Sequence, residues 1–285
     1  MSRMKWVAVP LVAAGLVTTF AACGDSSSTA STAADTTAAA IPESSESSES
    51  SEIETTVVKE PVKWSYSGDT GPANWGSLSP DFAACEATSQ TPIDIVDPAS
   101  ATSPDPIINY SKGAVEQFNN GHSVEATAAE GNSITVDGAK SALLQMHFHA
   151  KSEHTIDGKH SPVEVHFVHK SDDGTLTVIG VMLEEGSATN AAWSPFVKAI
   201  GTPEGTTAKT TYDWPAMLPA SLKSVRYSGS LTTPPCSEGV NWLVMDAPVT
   251  LSKAQIDSIT AVYDHNYRPV QPQNGREVVV TPVTN

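Results

Sequence analysis

One short segment constrains the fold more than any other. Leu143-Leu144-Gln145-Met146-His147-Phe148-His149 alternates with a two-residue period and is rich in apolar and aromatic side chains, which reads as a β-strand. Strand side chains repeat every two residues, so Gln145, His147 and His149 share one face. A second such run, Val163-Glu164-Val165-His166-Phe167-Val168-His169, puts Glu164, His166 and Val168 on one face and Val165, Phe167 and His169 on the other. Between them lies Ser152-Glu153-His154-Thr155-Ile156-Asp157-Gly158, whose Asp-Gly pair is a turn signal. Two adjacent antiparallel strands are expected, and one histidine of the second can join the pair on the first.

Three imidazoles converging from a sheet leave one tetrahedral position free for water, the layout of a catalytic zinc site. An isolated His-x-His fits two buried strand histidines equally well, and the third histidine favours a metal. The His-x-His-x-Asp pattern of metallo-β-lactamases is excluded by Lys151, and the HExxH helix of zinc proteases is missing.

The 20 prolines and 18 glycines have no fixed period, which argues against collagen-like, coiled-coil and solenoid architectures. A mostly β (α+β) globule with many turns is expected. With 16 basic residues against 32 acidic ones, the formal net charge of −16 excludes a phosphate-tracking surface, so nucleic acid is no partner.

The chain begins with Arg3 and Lys5, an apolar run from Trp6 to Phe20, then Ala21-Ala22-Cys23, the order of an export signal over residues 1–23. Cys23 after Phe20-Ala21-Ala22 resembles the lipobox of bacterial lipoproteins, although leucine is usual where Phe20 stands. The resemblance implies a lipid on Cys23 and an exported, extracytoplasmic, membrane-anchored protein. An ordinary secretory signal with an incidental cysteine is the alternative. Residues 24–60 are Ser, Thr, Ala and Glu, with eight acids against Lys59, a composition expected to remain a disordered spacer. Its r.m.s. reach is on the order of 30 to 35 Å. Residues 61–285 make one domain of ordinary size, and its two cysteines, Cys85 and Cys236, are expected to pair in an oxidising compartment.

The strings Gln145-Met-His-Phe-His149, Ser152-Glu-His-Thr-Ile-Asp-Gly158, Glu164-Val-His-Phe-Val-His169 and Gly229-Ser-Leu-Thr-Thr-Pro-Pro235 resemble the α-class carbonic anhydrases of the bacterial type. Trp64-Ser-Tyr66, Asn119-Asn-Gly-His122 and Asn266-Tyr-Arg-Pro-Val-Gln-Pro272 extend the likeness over all of 61–285. It implies a large, twisted, mainly antiparallel central sheet with a few surface helices. Leu176–Leu183 and Val240–Met245 are strand-like in agreement with it, and Ser252-Lys-Ala-Gln255 is a capping box ahead of Ile256, Ile259 and Val262.

The resemblance further implies reversible hydration of carbon dioxide to bicarbonate by zinc-bound hydroxide, with His147, His149 and His166 as zinc ligands. Thr232 and Glu153 would orient the hydroxide, with Thr233 beside the substrate. Val168, Val178, Leu231, Val240 and Trp242 would form an apolar wall, though core packing explains each of them too. Gln145, Glu164 and the outward His154 would steady the imidazoles, whereas His169 reads as a satisfied core histidine. His122 would relay protons at the pocket mouth, or else be an exposed turn histidine without a role. Glu125, three residues on, stands where a neutral amide is common. Alternatively the domain is a catalytically inactive binding module of the same family, displayed at the cell surface. The oligomeric state is not readable.

Overall fold

The computed structural model describes residues 62–104 and 106–281. The expected signal segment, the acidic spacer and Cys23 lie outside the described residues. Among the described residues no helix is long and apolar enough to cross a membrane.

Among the described residues thirteen strands form one mixed sheet. Its spine runs Thr207–Asp213, Lys112–Asn119, Val124–Ala128, Ala139–His149, Val163–Ser171, Leu176–Gly186, Glu238–Met245, Ser224–Ser230, Val279–Thr281 and Ala99–Ser100. Most neighbours are antiparallel. Leu176–Gly186 runs parallel to Glu238–Met245 and to Val249–Ser252, and Val279–Thr281 runs parallel to Ala99–Ser100. Helices are few and short, with Ser194–Ala199 and Lys253–Thr260 the longest α-helical pieces among the described residues. The capping box holds: Ser252 accepts from the Gln255 N–H, and the Gln255 side chain returns to the Ser252 N–H. The helix ends at Thr260, so Val262 lies past its end and packs against the core from the following turn.

The central strands are buried on both faces. Val163 to His169 are buried without a break, although their sequence alternates apolar and polar. Strand parity puts Val165 and Phe167, with Ile179 and Val181, into one core cluster, and Val168, Val178 and Val240 into the other. Every polar side chain on these strands therefore needs an internal partner. His169 has two: its Nδ1 donates to the Thr177 carbonyl at 3.0 Å and its Nε2 accepts from the Tyr110 hydroxyl at 2.5 Å. It is the satisfied core histidine expected.

A third cluster closes the N-terminal side. Trp75 packs there with Trp64, Tyr66, Leu78 and Phe82 around the Cys85–Cys236 disulfide, whose sequence separation is 151 residues.

Candidate metal centre

The strand register brings the imidazoles together. Ala139–His149 and Val163–Ser171 pair antiparallel with His147 directly opposite His166 and His149 directly opposite Glu164. Directly opposed residues have Cβ atoms about 5 Å apart. His149, two residues beyond His147, reaches the same place from its own strand. Ring centroids are 5.0 Å apart for His147 and His149, 5.2 Å for His147 and His166, and 4.6 Å for His149 and His166.

Each ring is held by its far nitrogen. His147 Nδ1 donates to Gln145 Oε1 at 2.8 Å, His149 Nδ1 to the Asn266 carbonyl at 2.6 Å, and His166 Nε2 to Glu164 Oε1 at 2.9 Å. These bonds assign the tautomers, leaving Nε2 of His147, Nε2 of His149 and Nδ1 of His166 as lone-pair donors. One ring nitrogen from each lies within 4.8 Å of the others. His149 Nε2 is buried and has no hydrogen-bond partner, a costly state that a cation would relieve. The three therefore fit a metal site, and a three-nitrogen donor set without cysteine leaves a coordination position open. His147 is the only one of the three not fully buried, so solvent reaches the cluster from its side.

The electrostatics agree. Burial lowers all three imidazoles, with His147 well below the ordinary histidine range and His149 at about 4, so they are neutral at pH 7. Glu164 is also fully buried. Burial would raise its carboxyl, but the imidazoles of His154 and His166 outweigh it and hold Glu164 well below the usual range. Its Oε2 accepts the backbone N–H groups of Glu153 and His154 at 2.9 and 2.8 Å. Room for this carboxylate depends on Gly180, which faces His166 across the next strand pair: a Cβ there would stand 2.9 Å from Glu164 Oε1.

His154 does not point outward. It is fully buried, donates from Nδ1 to Glu164 Oε1 at 2.7 Å and accepts at Nε2 from the Tyr227 hydroxyl at 2.5 Å. The turn is confined to the expected Asp157-Gly158 tip, and residues 152–155 ahead of it are buried.

Glu153 is buried beside the imidazoles, its Oε1 accepting the Arg268 N–H at 2.8 Å. Burial pushes its carboxyl up to about 7, against the pull of His166, the Arg268 N–H and the Thr232 hydroxyl. Its Oε2 closes no hydrogen bond of ordinary geometry. Thr232 is itself buried and Thr233 half-buried.

Val168, Val178, Val240 and Trp242 form one buried cluster with Leu231 packed against it, and Trp242 meets His166 edge-on at 4.8 Å. His122 is half-buried, its ring stacked on Trp64 at 3.9 Å, and burial lowers its pKa while Glu204 opposes the shift. Glu125 is half-buried too, and burial raises its carboxyl. Two surface grooves have volumes of about 560 and 590 Å³; none of the three imidazoles borders either, although Tyr227 and Trp242 line the first.

Three contributors were given no role from sequence. Asn266 and Arg268 belong to the Asn266–Pro272 string but carry no local signal of what they hold. Asn266 supports His149 through its carbonyl, and its Nδ2 donates to the His122 carbonyl at 3.0 Å. Tyr227 was missed outright, although the alternation Val225-Arg226-Tyr227 already placed it on the apolar side of its strand.

The family described as eukaryotic-type carbonic anhydrase matches residues 70–282. A carbonic anhydrase of Pectobacterium atrosepticum is 45% identical over 224 residues, covering 76% of this chain and 91% of that one. One from Nostoc is 42% identical over 231 residues, covering 76% and 86%. The solved complex of the α-carbonic anhydrase from Thermovibrio ammonificans with the inhibitor sulfanilamide superposes with a TM-score of 0.74 at 40% identity, covering 77% of this chain and 99% of that one.

Proposed function

As the chain belongs to the α-class carbonic anhydrase family, we propose that its three imidazoles hold a zinc ion and that Thr232, Glu153 and His122 serve the reaction around it. The chain is an enzyme of reversible carbon dioxide hydration. Carbon dioxide has no leaving group, so the reaction asks for an oxygen nucleophile, an apolar place for the substrate and an exit for one proton.

Held by these three imidazoles, zinc would supply the Lewis acidity that makes water a nucleophile at neutral pH, the chemistry for which carbonic anhydrases are the standard example. His147, His149 and His166 are neutral and fixed in tautomer, which suits them to a cation. Thr232 accepts a hydrogen bond from the nucleophile and donates its proton to Glu153, because a hydroxyl is one donor and two acceptors. The unpartnered Oε2 of Glu153 is the acceptor for that proton. Val168, Val178, Leu231, Val240 and Trp242 hold carbon dioxide against the site, with Thr233 beside it. His122 passes the proton to solvent bases, its ring carried on Trp64.

The observation that carries the zinc reading is the trio of fixed tautomers together with the orphaned Nε2 of His149. The test is metal analysis alongside hydration of carbon dioxide with and without a chelator. One zinc per chain and activity lost on chelation are expected; full activity in metal-free protein sinks the assignment.

The sequence also supports an exported lipoprotein, with signal 1–23, acidic spacer 24–60, catalytic domain 61–285 and Cys23 bearing the lipid. Two or more acyl chains anchor stably where one gives only marginal binding. Unchanged membrane retention of a Cys23→Ser variant would count against it.

A further inference from the structure

We propose that Arg268, with Gln90 as its acceptor, is a positioning residue that aligns the Thr232–Glu153 pair, an inference that rests on the role given to that pair above. The Arg268 side chain is only 2% exposed. Its Nη1 donates to Gln90 Oε1 and to the Thr91 carbonyl, both at 2.8 Å, and its Nη2 to the Cys85 carbonyl at 3.0 Å. The guanidinium carbon lies 5.5 Å from the Trp75 ring centre. Burial lowers its pKa to about 10, which leaves it a cation at neutral pH.

This one residue meets both halves of the pair, with its backbone N–H on one side and its guanidinium on the other. On the Glu153 side, the residue's own backbone N–H donates to Oε1, which leaves Oε2 as the carboxylate oxygen without a partner. On the Thr232 side, its acceptors lead directly to the segment from Ser230 to Cys236. Gln90 Nε2 donates to the Cys236 carbonyl at 3.2 Å. The Thr91 N–H donates to Ser230 Oγ at 3.0 Å, and Thr91 Oγ1 accepts the Ser230 N–H at 2.9 Å. Thr232 is two residues from Ser230 and four from Cys236, so both of its flanks are tied to the acceptors of one guanidinium. The contact has no slack: a Cβ on Gly229 would stand 2.1 Å from Thr91 Oγ1.

Stability alone is a weak reason for this arrangement. A buried cation carries a desolvation cost, and well-packed apolar residues often replace buried charges without loss. A planar fork reaching three acceptors at set angles does something else: it fixes directions. Lysine keeps the charge but cannot span the same acceptors.

The test is a double-mutant cycle in the zinc-loaded enzyme. Arg268→Lys and Gln90→Ala are each made in the wild-type and the Thr232→Ala background. In the wild-type background each is expected to lower kcat/KM about tenfold, with zinc content unchanged. In the Thr232→Ala background each is expected to change kcat/KM less than twofold, because the pair is already broken. Amide hydrogen exchange gives a readout independent of activity: the N–H groups of residue 268 and Ser230 should exchange at least tenfold faster in Gln90→Ala. Gln90→Ala leaves Arg268 in place and decides the matter if Arg268→Lys does not fold. An equal loss in both backgrounds, or unchanged exchange at both amides, overturns the proposal. If Thr232→Ala alone matches wild type, the role of the pair itself is wrong, and that result is read before the cycle is closed.

Discussion

The bridge between Cys85 and Cys236 closes a loop of 151 residues, most of the described chain. In the chain-entropy account the denatured state loses about 17 cal/mol/K on closing a loop of that length, so the bridge contributes about 5 kcal/mol at 25 °C. Domains are stable by about 5 to 15 kcal/mol, so this is a third or more of the total. With a urea m-value of about 3 kcal/mol/M, its removal should lower the unfolding midpoint by roughly 1.5 M. The m-value should also rise, since an uncrosslinked denatured chain exposes more surface. The assay is equilibrium urea unfolding of oxidised protein against a Cys85→Ala/Cys236→Ala variant, both with chelator present so that metal binding adds nothing. Reduced but unmutated protein is the necessary third sample. The sulfurs pack among Trp64, Tyr66, Trp75 and Phe82, and that sample loses the link while keeping the packing. Cys236 is fully buried and Cys85 8% exposed, so reductant is expected to cut the bridge only when the protein opens. A midpoint change below about 0.3 M in the reduced sample would refute the closure argument.

Removing a ligand should empty the site: His149→Ala is expected to lose zinc by metal analysis, and a variant that retains a full equivalent would disprove the ligand set. Thr232→Ala and Glu153→Gln should each lose about a hundredfold in kcat/KM while keeping zinc, as expected when an oriented hydrogen bond made in the transition state is removed; near-normal turnover in both would take the pair out of the mechanism. His169 has its pKa lowered to about 4 by burial, against about 6.5 unfolded. Below pH 6.5 the unfolded chain gains a proton that the folded one refuses, so stability present above pH 6.5 is lost as pH falls toward 4, by about 3 kcal/mol in all. Urea midpoints of metal-free protein across that window should drop less steeply in His169→Gln, and parallel curves would show that another group is responsible. His122→Ala should lose kcat in weak buffer and regain it in concentrated imidazole; a kcat insensitive to both would remove the relay.

Much of this protein can be read from its sequence because three of its codes are local. Period-two alternation puts His147 and His149 on one face whatever else the chain does, and the Asp157-Gly158 turn returns it toward a second strand; in the structure Asp157 and Gly158 both have positive φ, at 49° and 70°. The capping box before Lys253 is equally local. Pairing of the two thiols followed from their number. What alternation could not say is which histidine of Val163–His169 joins the site, since that depends on register, and His147 opposite His166 is a property of two strands together. The same limit explains His154: it goes inside because Glu164, ten residues on, and Tyr227, 73 residues away, meet its two nitrogens. It also explains Arg268, whose acceptors lie 177 to 183 residues away in sequence. The short-range periodicities belong to the sequence; the partners that make burial of charge tolerable exist only once the sheet has closed around them, because a buried polar group is held by geometry that no single segment contains.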